Sequence, residues 1–261
     1  MIGHPIGQVI TPEPMNRYFL ARGITAAIIP VDIGPDTAGA FLAAVRGWEN
    51  CAGVSVTMPH KQAAFANADS LSDRAQKAGA ANLIVRNPDG SLHGDMTDGI
   101  AFLHALRAKG FEPRGKKFSL VGAGGAGAAI AHALAAAGVS AIDIFEIDVT
   151  RRTALQTALE QDHPGLCIRV APEGEMQPDL VFNATPLGMQ AEDSLPYPVD
   201  ELPRHCIVAD AVTKPVITPF LTMAQKHGCV TVNGIEMALA QLPIQLPMWG
   251  FGPYQPAGEE Q

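Results

Sequence analysis

Charge is scarce in this chain. Asp, Glu, Lys and Arg make up 17% of its 261 residues, and acids outnumber bases 26 to 18, for a formal net charge of −8. A scattered minority of bases argues against a nucleic-acid partner and against attachment to an anionic membrane surface. Long apolar runs are missing as well. None approaches the roughly 18 residues that suggest a membrane span, and Met1 is followed by Ile-Gly-His-Pro rather than by a basic stretch leading into an apolar one. The expected location is therefore cytoplasmic, with no membrane partner. Cysteine is sparse, at four residues (Cys51, Cys167, Cys206 and Cys229), and none shows CxxC or CxH spacing. Free thiols in a reducing compartment are expected, and no metal site. His4, His60, His132 and His227 read as surface or packing histidines rather than ligands. What the chain does have is 47% hydrophobic residues over a length that buries one large core or two ordinary ones.

No internal repeat is visible, so element order must suggest the architecture. "AAIIPVDI" (26–33) and "GVSVTM" (53–58) read as strands around the helical spacing of "DTAGAFLAAVRGW", a βαβ order. "ANLIVRN" and "SLHGDMTD", separated by Pro88-Asp89-Gly90, read as a hairpin, and a helix follows over about 100–109. From "KKFSLV" onward the pattern repeats strand and helix. It includes an alanine-rich helix stopped by Gly138, a helix near 151–160, strands "DLVFNAT", "CIVADAV" and "VTVN", and a helix "TPFLTMAQKHG". Such alternation predicts a parallel, doubly wound sheet. The last stretch, "GIEMALAQLPIQLPMWGF", carries Pro243 and Pro247, which limit it to short or kinked helices expected to pack back on the first domain.

Gly122-Ala123-Gly124-Gly125-Ala126-Gly127 satisfies GxGxxG between an expected strand and an expected helix. One glycine permits the tight turn, the next lets backbone approach a pyrophosphate, and the third lets helix close on strand, while the helix N-terminus offers N–H groups to the anion. A turn that only packs tightly, or one that serves S-adenosylmethionine, has the same pattern. At the end of the next strand, "FEIDVTRR" places Glu146 and Asp148 where a carboxylate accepts from ribose hydroxyls and repels a 2′-phosphate, with Arg151 and Arg152 beyond them. The expectation drawn from these acids is NAD rather than NADP. Asp148 also suits the cap of the following helix.

"VSVTMPHK" ends a strand and then presents His60 and Lys61, and "GDMTDG" contains Asp98. Taken separately they are a solvent lysine and a helix N-cap candidate. Taken together, a lysine with an aspartate partner can accept a hydroxyl proton as hydride leaves, without a metal.

Seven blocks, "GHPIGQVITP", "VSVTMPHK", "AGAANLIV", "GDMTDG", "VGAGGAGAA", "FNATPLGM" and "NGIEMALAQ", occur in the order found in the shikimate and quinate dehydrogenases, and the chain resembles that family nearly end to end. The resemblance implies an α/β fold with an N-terminal α/β substrate domain (1–99, completed by 235–261), a Rossmann-type doubly wound domain for NAD (100–234), and a cleft between them. It implies that Lys61 and Asp98 form the catalytic pair and that Thr57, Asn82 and Gln241 hold substrate hydroxyls. It extends the cofactor set to Thr185, Ala211 and Gly234, and puts Met189 near the nicotinamide, although methionine is equally a common core filler. The implied reaction is reversible oxidation of a ring hydroxyl of shikimate or quinate, a small cyclic hydroxy acid, by a monomer or homodimer.

The chain also departs from the family pattern. Val9 and Thr11 stand where relatives carry the two serines of Ser-x-Ser-Pro that bind the substrate carboxylate, Ser55 replaces an asparagine, and Thr213, followed by Lys214, replaces a tyrosine. One lost hydrogen bond to a charged group weakens binding by roughly 1.5–3 kcal/mol. An amino-substituted analogue as substrate, or a non-catalytic sensor of NAD or a small acid, are the alternatives these changes leave open.

Overall fold

The computed structural model describes residues 1–170 and 177–254. The chain divides into two compact units, Met1–Asp98 joined by the segment from Ala238 onward, and Gly99–Met237.

The first unit runs β1 (Ile2–Gly3), α1 (Pro12–Ala21), β2 (Val31–Asp32), a 3₁₀ turn (Pro35–Thr37), α2 (Ala38–Arg46), β3 (Gly53–Ser55), α3 (Lys61–Asn67), β4 (Ser70–Leu71), α4 (Asp73–Ala78), β5 (Leu83–Arg86) and β6 (Leu92–Asp95). α5 (Asp98–Ala108) leaves it. Four strands form a mixed sheet in the order β3-β5-β6-β4, antiparallel except for β4 with β6. The expected hairpin is β5–β6, and its turn uses Gly90 at φ +84°. α2 buries Ala38, Leu42 and Val45, one face of a 3.6-residue period. They pack among Ile2, Val54, Val56, Ile84 and Leu92, each large side chain contributing about 1.5–3 kcal/mol by burial.

The expected βαβ order is present as β2, α2 and β3. β2 pairs in parallel with β1 rather than directly with β3, and a single bridge, Ile2 to Val56, links that pair to the chain after β3. The expected strand 26–33 shrinks to two residues. Pro30 has no N–H to give, the Asn16 amide holds Ile28 N–H and C=O at 2.8 and 2.9 Å, and the Met1 ammonium donates to Ile29 O at 2.7 Å. The Asn16 side chain thus takes the bonds of Ile28 that a ladder would use, while the Met1 bond to Ile29 runs on from the β1–β2 pairing. The expected strand 53–58 is Gly53–Ser55 in β3, and the chain runs on beside its neighbours as Val56 N donates to Asn82 O and Thr57 N to Ile2 O.

The second unit holds β7 (Lys117–Val121), α6 (Gly125–Ala136), β8 (Ala141–Phe145), α7 (Val149–Asp162), β9 (Cys167–Val170), β10 (Leu180–Asn183), β11 (Ile207–Asp210), α8 (Pro219–His227) and β12 (Val230–Val232). All six strands are parallel in the order β12-β11-β10-β7-β8-β9. This is the doubly wound Rossmann order, with the direction of winding reversing between β7 and β10. Near-continuous apolar runs in β7, β8, β10 and β11 reflect burial on both faces. Phe118, Leu120, Ile142, Ile144 and Phe182 fill the core with Ile130 and Leu134 of α6. β9 is an edge strand of mixed exposure, which is why its residues carry no clear pattern.

Beyond β12 come α9 (Gly234–Leu239) and α10 (Leu242–Met248). Pro247 lies in the last turn of α10, and the expected short pieces result. Leu242 and Leu246 pack on Met15, Tyr18 and Phe19 of α1, and Trp249 Nε1 donates to Ile84 O at 3.0 Å. Gly53 makes that approach possible, since a Cβ there would lie 2.1 Å from Ile84 O and 2.3 Å from the Trp249 nitrogen. Among the described residues no helix is long and apolar enough to cross a membrane.

Candidate active site

Lys61 opens α3 immediately after the Thr57–His60 turn, and Asp98 opens α5 with only Met96 and Thr97 between it and β6. Lys61 Nζ donates to Asp98 Oδ2 at 2.5 Å. Asp98 is 2% exposed and the Lys61 side chain 19%, so the carboxylate is sunk while the ammonium keeps a face to solvent. Asp98 is itself the first residue of α5. Its other oxygen accepts from Asn82 Nδ2 at 2.8 Å and from Gln241 Nε2 at 3.0 Å.

The sheet holds these partners by their backbones. Asn82 precedes β5, accepts from Val56 N through its carbonyl and donates to Asp95 O through its amide. Its side-chain oxygen accepts from the N–H and the hydroxyl of Thr97, at 2.8 and 3.1 Å. Gln241 stands at the N-terminal end of α10 and accepts from Asn82 Nδ2 at 3.1 Å, and its Oε1, 3.2 Å from Thr97 Oγ1, shares that hydroxyl's single proton with Asn82 Oδ1. Gln245, one turn further on, donates to Gln241 Oε1 at 2.6 Å and to Thr97 Oγ1 at 3.1 Å. Thr97 and Gln245, 0% and 1% exposed, are members of the network that the sequence reasoning missed. The available signal was the four-residue spacing of Gln241 and Gln245, which puts two amides on one helix face.

The remaining expected substrate residues lie outside this network. Thr11 is buried and its hydroxyl donates to Met1 Sδ at 3.2 Å. Val9 is half-buried, Ser55 is buried in β3, and Thr57 is half-buried. Thr213 belongs to the second unit, half-buried after β11, and Lys214 beside it is exposed. Of the histidines, His60 is buried with Nε2 donating to Ile33 O at 3.0 Å, and His227 makes the same kind of bond to Leu202 O at 2.8 Å.

In the second unit the glycine turn connects β7 to α6. Gly122 has φ +94°, and Gly127 closes helix on turn, since a Cβ there would lie 2.0 Å from Gly122 O. Beside Gly124, by contrast, a Cβ would meet nothing within 4 Å. Open space next to a helix start whose first-turn N–H groups have no partner within the helix suits a pyrophosphate. Gly234 approaches Ala211 and Val212 so closely that a Cβ would lie 2.7 and 2.4 Å from their carbonyl oxygens. Ala211 follows the C-terminal end of β11, and Thr185 follows that of β10. The Thr185 hydroxyl donates to Asn183 Oδ1 at 2.6 Å, while Asn183 Nδ2 reaches Leu187 O and Asp210 Oδ1 at 2.9 and 3.0 Å. The loop carrying half-buried Met189 is thereby tied to the sheet. Burial pushes the Asp210 carboxyl up to about 6, against donors from Val212, Thr218 and Asn183. Asn183 and Asp210 were also missed, although each ends an apolar strand with a polar side chain at the edge where α/β sites form.

Glu146 and Asp148 are engaged with backbone. Glu146 accepts from Ala123 N and Asp148 N at 2.7 and 2.9 Å. Asp148 caps α7 through Thr150 N and Arg151 N at 2.9 and 3.2 Å. Arg151 Nε lies 3.6 Å from Asp148 Oδ2, and Arg152 Nη1 donates to Glu146 O at 3.3 Å.

A doubly wound sheet with a glycine turn at its first helix, together with a separately folded α/β unit carrying a lysine–aspartate pair, defines a class of two-unit α/β proteins with one Rossmann-type unit. Residues 1–84 match the family model described as "Shikimate dehydrogenase substrate binding domain". A curated relative from Symbiobacterium thermophilum, named Shikimate dehydrogenase (NADP(+)), is 35% identical over 261 residues, covering 97% of this chain and 88% of its own. The chain belongs to the shikimate dehydrogenase family. Among solved structures, a shikimate 5-dehydrogenase from Thermus thermophilus in complex with NADP(H) and shikimate is 30% identical at a TM-score of 0.86, covering 98% and 94% of the two chains. A quinate dehydrogenase from Corynebacterium glutamicum in complex with NAD is 27% identical at a TM-score of 0.83, covering 97% and 93%.

The relatives overturn the expectation of NAD. Four more of them, 34–37% identical, carry the same NADP(+) name as the Symbiobacterium protein. The structure supplies the physical reason for the misreading. The two acids read as ribose acceptors are occupied by the glycine turn and the helix cap, and the arginines of the first turn of α7 stand beside them.

Proposed function

We propose that this protein is an NADP-dependent shikimate dehydrogenase, with Lys61 and Asp98 as its catalytic pair. The carrying observation is the buried Asp98 carboxylate, which holds Lys61 at 2.5 Å and is itself held by Asn82 and Gln241. Bound NADP supplies the hydride acceptor or donor. The Gly122–Gly127 turn would hold its pyrophosphate, Thr185, Ala211 and Gly234 would contact it, and Arg151 and Arg152 would offer guanidinium groups to its 2′-phosphate. Arginine suits that role through its fork of donors.

As the neutral amine Lys61 Nζ takes the proton of the substrate hydroxyl, and as the ammonium it returns that proton in the reverse direction. Asp98 fixes the direction in which the ammonium points and offers an oxygen to a neighbouring hydroxyl. Asn82 and Gln241 orient the ring, using amides already locked by Thr97 and Gln245. Such pre-organisation lowers the entropy lost on reaching the reacting geometry. The test is an initial-rate assay of NADPH absorbance with shikimate and NADP, beside the Lys61→Ala protein. Turnover lost in the variant supports the reading, and equal turnover in both refutes it.

Val9 favours a second reading of the substrate. Its half-buried side chain has no donor or acceptor where the family pattern places a carboxylate-binding serine. The ring acid would then be an analogue whose carboxylate is altered or held by other groups. A panel of shikimate, quinate and amino-substituted analogues distinguishes the two by kcat/KM.

A further inference from the structure

Three metal-ligating side chains meet on the helical layer of the second unit, outside every residue assigned above. His132 lies in α6, Asp162 is the last residue of α7, and His163 follows it as the C-cap. One ligand atom from each lies within 4.8 Å of the other two. His132 is 6% exposed, His163 is half-buried and Asp162 is exposed, so the group forms a floor with an open side. His132 and His163 are far apart in sequence, and no spacing rule joins them.

The separations suit a shared ion. His132 Nδ1 lies 3.6 Å from Asp162 Oδ2, beyond hydrogen-bond length. Two ligands of a tetrahedral ion with bonds of 2.0–2.1 Å stand about 3.3 Å apart. The two imidazoles form a tilted pair, 6.0 Å between centroids and 48° between planes. Closing the widest separation needs a movement of at most roughly 1.5 Å. His163 can supply it as a side-chain rotation, because its backbone has already left the helix at φ −132°, ψ 69°.

We propose that His132, Asp162 and His163 bind a divalent transition-metal ion of the zinc class, with water completing the coordination on the Asp162 side. Two imidazoles and one carboxylate form a borderline donor set that suits zinc, cobalt, nickel or copper rather than magnesium or calcium, which take mainly oxygen ligands. The ion joins the end of α7 to α6. Its effect is on stability, and hydride transfer does not require it.

The experiment uses the full chain, stripped with a chelator and then titrated with Co²⁺, followed by visible absorption, and with Zn²⁺, followed by calorimetry and by Tm. The expected result is one equivalent bound, intense low-symmetry Co²⁺ bands, and a Tm that rises with Zn²⁺. His163→Ala and Asp162→Asn, both at the helix end, are each expected to weaken binding by about 100-fold or more while circular dichroism and shikimate turnover stay at wild-type levels. Absence of one-to-one binding by the wild type would overturn the proposal. So would undiminished binding by the two variants, which would place the ion elsewhere, for example at the exposed Cys167.

Discussion

Replacing Asp98 by Asn tests the site most directly, because the carboxylate accepts from three donors and the amide cannot. Lys61 Nζ approaches Oδ2 at 2.5 Å, while Asn82 Nδ2 and Gln241 Nε2 approach Oδ1 at 2.8 and 3.0 Å. An asparagine oxygen can face only one side. Turned toward Lys61, it would point its own N–H₂ at two buried amide donors. Turned toward Asn82 and Gln241, it would point N–H₂ at the ammonium. The second arrangement strands one group instead of two, and Lys61 keeps partial access to water, so it prevails. Its cost is one charge-assisted hydrogen bond, about 1.5–3 kcal/mol. That alone lowers kcat by about 10- to 100-fold, and loss of the oriented proton acceptor raises the total toward 10²–10⁴-fold. The assay measures kcat and KM for shikimate and NADP in wild type, Asp98→Asn, Lys61→Ala and the double variant, with circular dichroism to verify folding. Because the pair acts as one unit, the double variant is expected to lose scarcely more than either single one. A folded Asp98→Asn protein with kcat within tenfold of wild type, or losses that multiply in the double variant, would refute the pairing.

Substituting Arg151 and Arg152 together by Ala is expected to raise KM for NADP by about tenfold or more, the worth of one to two charge-assisted bonds, with a much smaller change for NAD; equal changes for both cofactors would count against a 2′-phosphate site. Gln245→Leu removes donors to Gln241 and Thr97. It should raise KM for shikimate and lower urea stability by about 2 kcal/mol, leaving KM for NADP unchanged, and an unchanged KM for shikimate would exclude a positioning role. Asp210 is raised from 3.8 to about 6 by burial, so the stability it contributes is full below pH 4 and is lost as pH rises through 6. The loss is on the order of 3 kcal/mol. Asp210→Asn should flatten that slope in urea titrations between pH 4 and 7, and identical slopes would show that the carboxyl does not titrate there.

The second unit was legible because its rules are local. Apolar runs bounded by glycine, a capped α7 and a Gly228-terminated α8 each declare themselves within about ten residues, and the parallel order then follows from right-handed crossovers. The first unit depends on partners distant in sequence. Nothing in "AAIIPVDI" states that Asn16 will bond Ile28 on both sides, or that the Met1 ammonium will bond Ile29. A short strand with such partners looks, in one dimension, like a longer strand with a ladder. β9, at the exposed edge, has too little burial to impose alternation.

The site shows the same division at the level of single side chains. Lys61 and Asp98 could be named because their residue types state a chemistry, and the family blocks place them together. Gln245 and Thr97 state none, and their role exists only once α10 has folded back to bring Gln241 against Asn82. The misread cofactor follows from the converse case. Glu146 and Asp148 stand two and zero residues before the cap of α7, within reach of backbone N–H groups of their own segment and of the glycine turn. A carboxylate beside orphan helix donors is already stabilised without a ligand. An acid at that strand end therefore reports a ribose only after its local donors have been counted, and in this chain they account for both acids.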